Sequence, residues 1–459
     1  MNNFLKINPS TTIVECLKIL NENFNRALFV TDDLNNFIGS LTEGDIRRSL
    51  IKGTSPDSSI KNIFNLKPIY LTSEEFQNYK LGKINFNLSR KINKITQQNF
   101  EIPIIENNKI LMSVQPTFFS KKNNIKNSSK SNILIVGGFG FIGSVLTNLL
   151  LSEGYKVTVL DCLLYNQKFH TIFQKNKNFK LIYGNVTDLN AHLESIKDID
   201  SIVYLAEIVG DPACYNFPEI ALKTNYLSIT ALATLASYLK IKKFVYTSSC
   251  SVYGKTPDGE FLNEDSDVTP LSFYARTKLD TENFLLNIKN TYFNPVILRL
   301  GTVFGCSLRQ RFDLVVNKFV KDAYVKSEIN VHGGNQFRPN ICVKDIARAI
   351  EKILSSNNDL KYNIFNLSNN NENLRIIDIA DKISSVLPNT SVNISKTDED
   401  GRDYKVISKR FEDSFEYSPD TSIESESLSL YNSLKKNIYI DVENPIYSNF
   451  EYLNSINNA

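Results

Sequence analysis

The apolar positions between residues 132 and 160 follow two different periods. Residues 133–136 form a continuous run of isoleucine, leucine and valine, which predicts a buried parallel strand. Residues 144–155 space their apolar side chains as a helix does. Residues 156–160 are again β-branched and leucine-rich and predict a second strand. The segment therefore predicts a strand, a turn, a helix and a further strand.

The turn between that strand and helix is unusually rich in glycine, and it reads Gly-Gly-Phe-Gly-Phe-Ile-Gly over residues 137–143. Small residues let the backbone approach a pyrophosphate, and the helix N-terminus adds free N–H groups and partial positive charge. Asp161 follows the second strand, where a carboxylate accepts the ribose hydroxyls of NAD and repels the 2′-phosphate of NADP. The alternative is a tight turn before a packed helix. With strand, helix and acid all in place, we predict an NAD site whose turn residues are Gly137, Gly140, Phe141, Ile142 and Gly143.

Strand-like and helix-like segments continue to alternate after Asp161. Strands are predicted at residues 179–183, 201–205 and 243–247, with a helix at 226–239. This alternation predicts a doubly wound parallel sheet, in which ligands lie beyond the carboxyl ends of the strands. Asn185, Ala206 and the segment 248–254 are therefore expected around one crevice.

Tyr274 and Lys278 are one helical turn apart and face the same way. A phenol with a pKa near 10 is a poor base at neutral pH, but an adjacent ammonium and a cationic nicotinamide stabilise the phenolate. With 21 tyrosines in the chain, this spacing alone is weak evidence. Its place after a Ser-Ser turn in a dinucleotide-binding chain makes Tyr274 and Lys278 candidates for acid–base chemistry.

The first 120 residues carry a pattern of their own. Residues 12–20 predict a helix, residues 27–30 and 37–38 predict strands, and residues 39–46 open a second helix. A weaker copy follows at residues 68–72, 88–96 and 101–105. Residues 120–131 have almost nothing apolar and predict an exposed linker. We therefore predict a module at 1–119, a linker at 120–131 and a catalytic region at 132–459.

Composition excludes several functional classes. The 52 basic and 49 acidic side chains nearly balance, so no nucleic-acid partner is expected. The six cysteines form no C-x-x-C pair, so neither a disulfide framework nor a metal site is expected. We expect a reduced cytoplasmic setting. No apolar run reaches the roughly 18 residues of a membrane span.

Residues 1 to about 116 resemble a tandem pair of cystathionine-β-synthase (CBS) domains. The resemblance implies an adenine nucleotide, with the hydroxyl of Thr42 toward phosphate and the carboxylate of Asp45 on ribose. The alternative is that Thr42 caps a helix and Asp45 lies in its first turn. The second copy departs from the pattern, because Ser113 is followed three residues later by Pro116 instead of an acid.

Residues 132 to about 440 resemble the NAD-dependent epimerase/dehydratase branch of the extended short-chain dehydrogenase/reductase family. The motifs that carry the resemblance are GGFGFIG, GNVTD, YLAEIVGDP, TSSCSVYG, YARTK, LRLGTVFG and RPNICVKD. It implies an α/β protein: a Rossmann-type doubly wound parallel sheet with a smaller C-terminal α/β substrate domain, preceded by the α+β CBS pair. It also implies NAD as cofactor, a nucleotide-diphosphate sugar as substrate and a homodimer.

The same resemblance assigns roles to individual residues. Tyr274 is the catalytic base and acid, Lys278 holds the nicotinamide ribose and lowers the tyrosine pKa, and Ser249 hydrogen-bonds the sugar hydroxyl. The remaining cofactor residues are Asp161, Asn185, Val186, Leu205, Ala206, Asn225 and Thr247. The remaining substrate residues are Thr302, Asn317, Arg311, Arg338 and Tyr404, with Arg338 able to bind phosphate in bidentate fashion.

This chain departs from the family pattern at four places. Asn185 stands where aspartate is usual, Glu207 where a small residue lies beside the nicotinamide, and Cys342 where histidine is usual. Cys250 and Ser251 stand where the family's dehydratases carry Asp-Glu, and neither can readily protonate a leaving hydroxyl. Dehydration is therefore disfavoured.

Three functions remain open from the sequence. The first is a nucleotide-sugar epimerase, most simply at C4, that oxidises the sugar transiently and supplies surface polysaccharide synthesis. The second is a nucleotide-sugar reductase or dehydrogenase with NAD(H) as a cosubstrate. The third is a regulatory nucleotide-binding protein whose catalytic fold is silent, which intact Ser249, Tyr274 and Lys278 argue against.

Overall fold

The computed structural model describes residues 5–23, 27–80, 86–95, 100–114, 131–255, 260–356, 360–395 and 402–457. The chain divides into two compact units, Met1–Ser129 and Lys130–Ala459. Pro116 and the predicted linker at 120–131, apart from Ser131, lie outside the described residues. The proposed domain boundaries stay a prediction.

The first unit contains two small three-stranded sheets with the orders β1-β2-β3 and β4-β5-β6. In each sheet one pairing is parallel and one antiparallel, and each packs its own apolar core. The repeated pairing agrees with an internal duplication. The elements are β1 Lys6–Ile7, α1 Ile13–Asn23, β2 Ala27–Thr31, β3 Phe37–Thr42, α2 Glu43–Ile51, β4 Leu71–Thr72, α3 Ser73–Lys80, α4 Phe86–Ile95, β5 Ile102–Glu106 and β6 Lys109–Val114.

The second unit alternates strands and helices over most of its length. Its strands are β7 Asn132–Val136, β8 Lys156–Asp161, β9 Phe179–Tyr183, β10 Ser201–Tyr204, β11 Lys243–Ser249, β12 Phe261–Leu262, β13 Asn294–Leu300, β14 Thr302–Phe304, β15 Glu328–His332, β16 Phe337–Cys342, β17 Ile364–Leu367, β18 Asn373–Arg375, β19 Ser391–Ser395 and β20 Lys405–Val406. Its helices are α5 Phe141–Ser152, α6 Leu189–Ser195, α7 Asp211–Asn216, α8 Pro218–Leu222, α9 Ser228–Tyr238, α10 Phe273–Asn287, α11 Val315–Lys326, α12 Val343–Ser355, α13 Ile376–Val386, α14 Lys409–Phe415, α15 Ile423–Lys435 and α16 Asn449–Asn457.

Seven parallel strands form the main sheet, in the order β17-β13-β11-β10-β7-β8-β9. Alternate residues of β7 enter two different cores: Ile133 and Ile135 pack on one face, Leu134 and Val136 on the other. Burial on both faces explains why the strand is apolar without alternation. The doubly wound sheet is confirmed, and its strand order reverses between β7 and β10, where ligands bind in such folds.

A smaller lobe is built from the later part of the chain. It contains the sheet β14-β16-β18, the parallel pairs β15-β19 and β12-β20, and a core shared by α11, α13 and α15. β14 follows β13 after a single residue, Gly301, where a Cβ would lie 2.9 Å from the carbonyl oxygen of Pro339. This close approach holds the lobe at the carboxyl end of the main sheet.

Candidate active site

A cavity of about 710 Å³ lies between the carboxyl ends of the central strands and the smaller lobe. Its sheet wall is formed by lining residues from 137–143, 205–213, 247–251 and 274–278. Its lobe wall is formed by lining residues from 300–319, 330–338, 402–404 and 448–451. The cavity therefore lies where the strand order reverses, and both the main sheet and the smaller lobe bound it.

Two glycines of the turn are required by the fold itself. Gly137 has φ +80°, and a Cβ there would lie 2.7 Å from the backbone nitrogen of Ala206. A Cβ on Gly143 would lie 2.1 Å from the carbonyl oxygen of Gly137. Gly140 is different, because its Cβ would meet that same oxygen at an ordinary 3.4 Å. Gly140 lines the cavity as bare backbone, which leaves room for a ligand at the start of α5.

Asp161 braces the glycine turn from behind. Its Oδ2 accepts the backbone N–H of Phe139 at 2.9 Å, and its Oδ1 accepts that of Leu163 at 2.8 Å. Burial raises the pKa of this carboxyl, and the two backbone hydrogen bonds oppose that rise. Asp161 is 8% exposed and lies outside the residues that line the cavity. Its contact with ribose stays a prediction.

The structure brings the three predicted catalytic residues to the sheet wall. Ser249 ends β11, and its Oγ accepts the backbone N–H of Ser251 at 3.2 Å and the Ser251 hydroxyl at 2.9 Å. Tyr274 and Lys278 lie one turn apart on α10 and both line the cavity. Tyr274 is partly buried against an apolar cluster that contains Ile208.

Lys278 is held in place by three neighbours. Its ammonium forms an ion pair with the carboxylate of Glu207, and each side chain is only 3% exposed. It also donates to the carbonyl oxygen of Thr247 and lies 5.5 Å from the centre of the Tyr274 ring. The hydroxyl of Tyr246 donates to Glu207 Oε1 at 3.0 Å. The sequence marked Glu207 as a departure but gave no sign of this ion pair.

Burial and most of the neighbouring charges act in the same direction on the pKa of Tyr274. Burial raises its pKa well above the ordinary value, and the negative charge of Glu207 raises it further. The guanidinium of Arg311 opposes both effects. Burial also raises the pKa of Glu207, while Lys278 and the hydrogen bond from Tyr246 lower it.

Four predicted substrate residues line the lobe wall: Thr302, Arg311, Arg338 and Tyr404. Arg311 makes a bidentate ion pair with Asp313 at 2.9 and 2.8 Å. Arg338 donates from Nη1 to the carbonyl oxygen of Phe337 at 2.8 Å, and its guanidinium carbon lies 5.7 Å from the centre of the Tyr404 ring. Their contact with a ligand stays a prediction.

Asn225 and Asn317 lie behind the walls and hold the backbone of cavity loops. Asn225 accepts from the N–H and donates to the carbonyl oxygen of Ile208, each at 2.8 Å. Asn317 accepts from the N–H of Gly305 and donates to the carbonyl oxygen of Arg311, each at 2.9 Å. Both amides are almost fully buried, so they position loops, and direct ligand contact by either stays a prediction.

The other predicted cofactor residues occupy two places. Leu205 and Thr247 line the cavity, and Ala206 packs beside Gly137. Asn185 accepts the N–H of Thr187 at 3.0 Å, and Val186 is buried in a core of the main sheet. Neither of these last two lines the cavity, so their adenine contacts stay predictions.

Arg309 is a lining residue that the sequence analysis did not select. Its guanidinium stacks 3.8 Å from the centre of the Tyr165 ring, and its Nη2 donates to Asn449 Oδ1 at 2.6 Å. Burial lowers the pKa of Arg309 to about 10. Within the described residues, its Nε and Nη1 are buried without a hydrogen-bond partner. Because Arg309 is two positions from Arg311, the sequence could have indicated that it lines the same cavity. Its partner Asn449 lies beyond the region of family resemblance and could not be predicted in this way.

Thr42 and Asp45 form a capping box at the start of α2. Asp45 Oδ2 accepts from the N–H of Thr42 at 2.9 Å and from its hydroxyl at 2.6 Å, and Thr42 Oγ1 accepts the N–H of Asp45 at 3.2 Å. Asp45 also pairs with Arg48 at 2.5 Å. The capping arrangement is thus present, and nucleotide binding at these residues stays a prediction.

Comparison with known proteins identifies the family. Residues 133–368 match the NAD dependent epimerase/dehydratase family, and residues 1–52 match the CBS domain. The chain belongs to the NAD dependent epimerase/dehydratase family. It is an enzyme that uses NAD, and both expectations from the sequence are confirmed. The second CBS copy lies outside the matched residues and stays a prediction.

The relatives of this family member match about half to two thirds of its length. An uncharacterized protein of Methanocaldococcus jannaschii is 32% identical over 250 residues, which are 52% of this chain and 76% of that protein. A trifunctional UDP-glucose 4,6-dehydratase/epimerase/reductase of Arabidopsis thaliana is 29% identical over 266 residues, and the chain covers only 39% of its length. The crystal structure of UDP-glucuronic acid 4-epimerase from Bacillus cereus, with UDP-glucuronic acid and NAD, is 26% identical, with a TM-score of 0.59 over 66% of this chain and 99% of that one.

The residues of the sheet wall fit NAD. Gly140 presents bare backbone at a helix start that neither its φ nor packing requires to be glycine. An ammonium has three donors, and Lys278 uses two of them on Glu207 and Thr247. The turn at 137–143 would hold the diphosphate, and Lys278 would hold a ribose hydroxyl.

The described residues contain neither a metal-binding cluster nor a membrane-spanning helix. Among the described residues, no group of three or more His, Cys, Asp or Glu side chains is arranged to hold a metal ion. In the same part of the chain, no helix combines the length and the apolar character that crossing a bilayer demands.

Proposed function

We propose that this enzyme is a nucleotide-sugar epimerase, most simply at C4, that supplies activated sugars for surface polysaccharides. The observation that carries the proposal is the pair of residues after Ser249. Cys250 is 1% exposed, burial raises its thiol pKa, and its Sγ donates to the carbonyl oxygen of Arg299 at 3.2 Å. Ser251 donates its hydroxyl to Ser249. Neither residue supplies an acid that could protonate a leaving hydroxyl. We therefore favour a reaction in which the sugar is oxidised and then reduced without loss of water.

Each catalytic residue has a defined task in this scheme. NAD, when bound, supplies an acceptor for the hydride of the sugar carbon and returns that hydride. Tyr274 takes the proton of the sugar hydroxyl and later gives it back, and Ser249 donates a hydrogen bond to the same oxygen. Rotation of the keto sugar between the two proton transfers would invert the carbon.

The lobe wall supports a nucleotide diphosphate as the binding group. Arg309, Arg311, Lys318, Arg338 and Arg402 all line it. Guanidinium groups match phosphate oxygens in geometry and charge. The Bacillus cereus structure, which contains UDP-glucuronic acid, supports the same class of substrate.

The alternative is a nucleotide-sugar reductase or dehydrogenase that uses NAD(H) as a cosubstrate. The name of the Arabidopsis relative includes a reductase activity, which supports this alternative. Ser249, Tyr274 and Lys278 serve that chemistry equally well. The two functions differ in whether the cofactor returns to its starting oxidation state.

The test is a screen of nucleotide sugars with the purified full-length chain and no added NAD. Products are identified by mass spectrometry and NMR, and NADH is followed by absorbance. An epimer of unchanged mass, formed over many turnovers without net NADH, is expected. Stoichiometric formation or consumption of NADH would establish the alternative, and a product lighter by one water would show a dehydratase.

We further propose that the CBS region binds an adenine nucleotide through Thr42 and Asp45 and modulates activity. A ligand there would have to replace the hydrogen bonds that the Asp45 carboxylate accepts from the N–H and the hydroxyl of Thr42. Calorimetry with AMP and ATP on the wild type and on Asp45→Ala tests this proposal. Binding heat only in the wild type is expected, and its absence from both proteins would end the idea.

A further inference from the structure

Glu282 and Arg299 form a buried ion pair beside the end of β11. Glu282 lies on α10, one turn after Lys278 and two turns after Tyr274. Its carboxylate accepts from Arg299 Nη2 at 2.7 Å and from Nε at 3.1 Å, and the two side chains are 1% and 4% exposed. Neither residue is among those that line the cavity. Because burial removes the hydration of both charges, such a pair adds little net stability.

Three strands of the main sheet present one row of side chains to this pair. Ser248 of β11, Arg299 of β13 and Asn366 of β17 are register partners in neighbouring parallel strands, so their side chains share a face. The Ser248 hydroxyl donates to Glu282 Oε1. Arg299 Nη1 donates to the Tyr253 hydroxyl at 3.0 Å, which in turn donates to Asn366 Oδ1 at 2.7 Å. The ion pair therefore ties α10 to three strands.

The same pair clamps Ser249 through both of its neighbours in sequence. The residue before it, Ser248, donates its hydroxyl to Glu282. The residue after it, Cys250, donates its thiol to the carbonyl oxygen of Arg299 at 3.2 Å. Glu282 also belongs to the helix that carries the proposed base, so these contacts fix the strand end and that helix relative to each other.

We propose that Glu282 and Arg299 are positioning residues that hold the Ser249 hydroxyl in register with Tyr274. In the proposed function, Ser249 and Tyr274 act on the same oxygen of the sugar, and a misplacement of about 1 Å can cost about 100-fold in rate. Since neither member of the pair lines the cavity, the pair should set kcat and leave substrate binding unchanged. The inference rests on the proposed role of Ser249 but not on which sugar reaction the enzyme performs.

Replacing both charges together tests positioning without leaving one buried charge unpaired. The double variant Glu282→Met/Arg299→Met should fold, because apolar replacement of a buried ion pair is often neutral in stability. Its kcat on the nucleotide sugar identified by the screen should fall by about 10- to 100-fold, with KM within about twofold of the wild type. In a Ser249→Ala background the same replacement should change kcat by less than about twofold, because the clamp then has no hydroxyl to hold.

Ser248→Ala keeps the ion pair and removes only one of its links to β11. Its kcat should fall by about 3- to 10-fold, again only while Ser249 is present, and this variant decides the question if the double variant does not fold. Asp345→Asn is the control, because its carboxyl is also fully buried, pairs with Arg348 and lies outside the cavity lining. Its thermal stability should fall while its kcat stays that of the wild type.

A further measurement needs neither substrate nor NAD. Hydrogen exchange of backbone N–H groups, followed by mass spectrometry, reports how firmly the end of β11 is held. Peptides that cover residues 243–254 should exchange faster in Glu282→Met/Arg299→Met than in the wild type. Peptides that cover β8 should exchange as in the wild type, and Asp345→Asn should leave residues 243–254 unchanged.

Four outcomes would overturn the proposal. An equal loss of kcat with and without the Ser249 hydroxyl would mean that the pair acts by another route. A rise in KM at constant kcat would give the pair a role in binding, and unchanged exchange of residues 243–254 would mean that it does not clamp β11. If Ser249→Ala keeps the wild-type kcat, the proposed role of Ser249 is wrong and the inference falls with it. If no nucleotide sugar is turned over, the proposed function fails, whereas hydrogen exchange still decides whether the pair holds the strand end.

Discussion

The two walls of the cavity carry charge in different ways. On the sheet wall, Lys278 and Glu207 form a closed and buried ion pair, so that wall is nearly neutral where the catalytic residues lie. On the lobe wall, cations outnumber anions: Arg309, Arg311, Lys318, Arg338 and Arg402 line the cavity with Asp313 and Glu451. Arg402 also pairs across the cavity with Asp211 at 2.5 Å.

We infer that the two walls serve different steps of the reaction. An excess of arginine in a partly enclosed space attracts and orients a diphosphate, which sets affinity. In the proposed mechanism, Tyr274, which is partly buried beside the balanced ion pair, moves one proton, and that step affects the rate. Substitutions of the proposed catalytic residues on the sheet wall should therefore change kcat, and substitutions on the lobe wall should change KM.

Tyr274→Phe is expected to have the largest effect of all. The variant lacks the group that takes the sugar proton, so kcat should fall by about 100- to 10,000-fold, with KM nearly unchanged. Steady-state assays on the nucleotide sugar identified by the screen measure both. Tyr238→Phe, at an 83% exposed side chain, is the control and should behave as the wild type. If Tyr274→Phe turns over every active substrate as fast as the wild type does, Tyr274 is not the catalytic base and the proposed mechanism is wrong.

The glycine turn offers a pair of variants that separates fold from cofactor. Gly143→Ala places a Cβ 2.1 Å from the Gly137 oxygen, so the turn must distort, and both thermal stability and NAD affinity should fall. Gly140→Ala meets the same oxygen at 3.4 Å and should keep its stability while binding NAD about tenfold less tightly. Thermal unfolding and calorimetry distinguish the two effects. Equal loss of stability in both variants contradicts the assignment of Gly140 to the ligand.

Part of the fold and of the candidate site can be predicted from the sequence alone. The doubly wound sheet follows from apolar runs that are buried on both faces, as Ile133 and Leu134 illustrate. Tyr274 and Lys278 face the same cavity because they lie one helical turn apart, and Ser249 reaches it because it ends a central strand. Those relations are local and periodic, and so they can be read from one chain.

The remaining features depend on contacts between distant segments. Asn317 bonds to a loop backbone that no spacing rule reveals, and Glu207 meets Lys278 across 71 positions. Arg309 meets Asn449 across 140 positions. Pairings of this kind depend on how segments that are distant in the chain pack together, which local patterns do not encode.

Arg338 tests the claim that the lobe wall controls affinity. Arg338→Ala removes a charged donor and should raise KM for the nucleotide sugar by about 10- to 100-fold, with a smaller change in kcat. Arg338→Lys keeps the charge but not the forked geometry and should recover only part of the loss. Steady-state kinetics of both variants, with thermal unfolding as a check of the fold, provide the measurement. A fall in kcat at constant KM would place Arg338 with the catalytic residues instead.

Asn449→Ala should give the smallest of these effects. The side chain bonds Arg309 Nη2 at 2.6 Å and the Val209 carbonyl oxygen at 3.3 Å, so its loss frees Arg309 without altering a catalytic group. About 1 kcal/mol of lost hydrogen bonding corresponds to a rise in KM of about 3- to 10-fold. Asn457→Ala, at an exposed position of the same helix, is the control. Tyr274 packs against an apolar cluster that includes Leu453 of this helix. A change in kcat would therefore mean that the C-terminal helix also positions Tyr274, and the division between the walls would then fail.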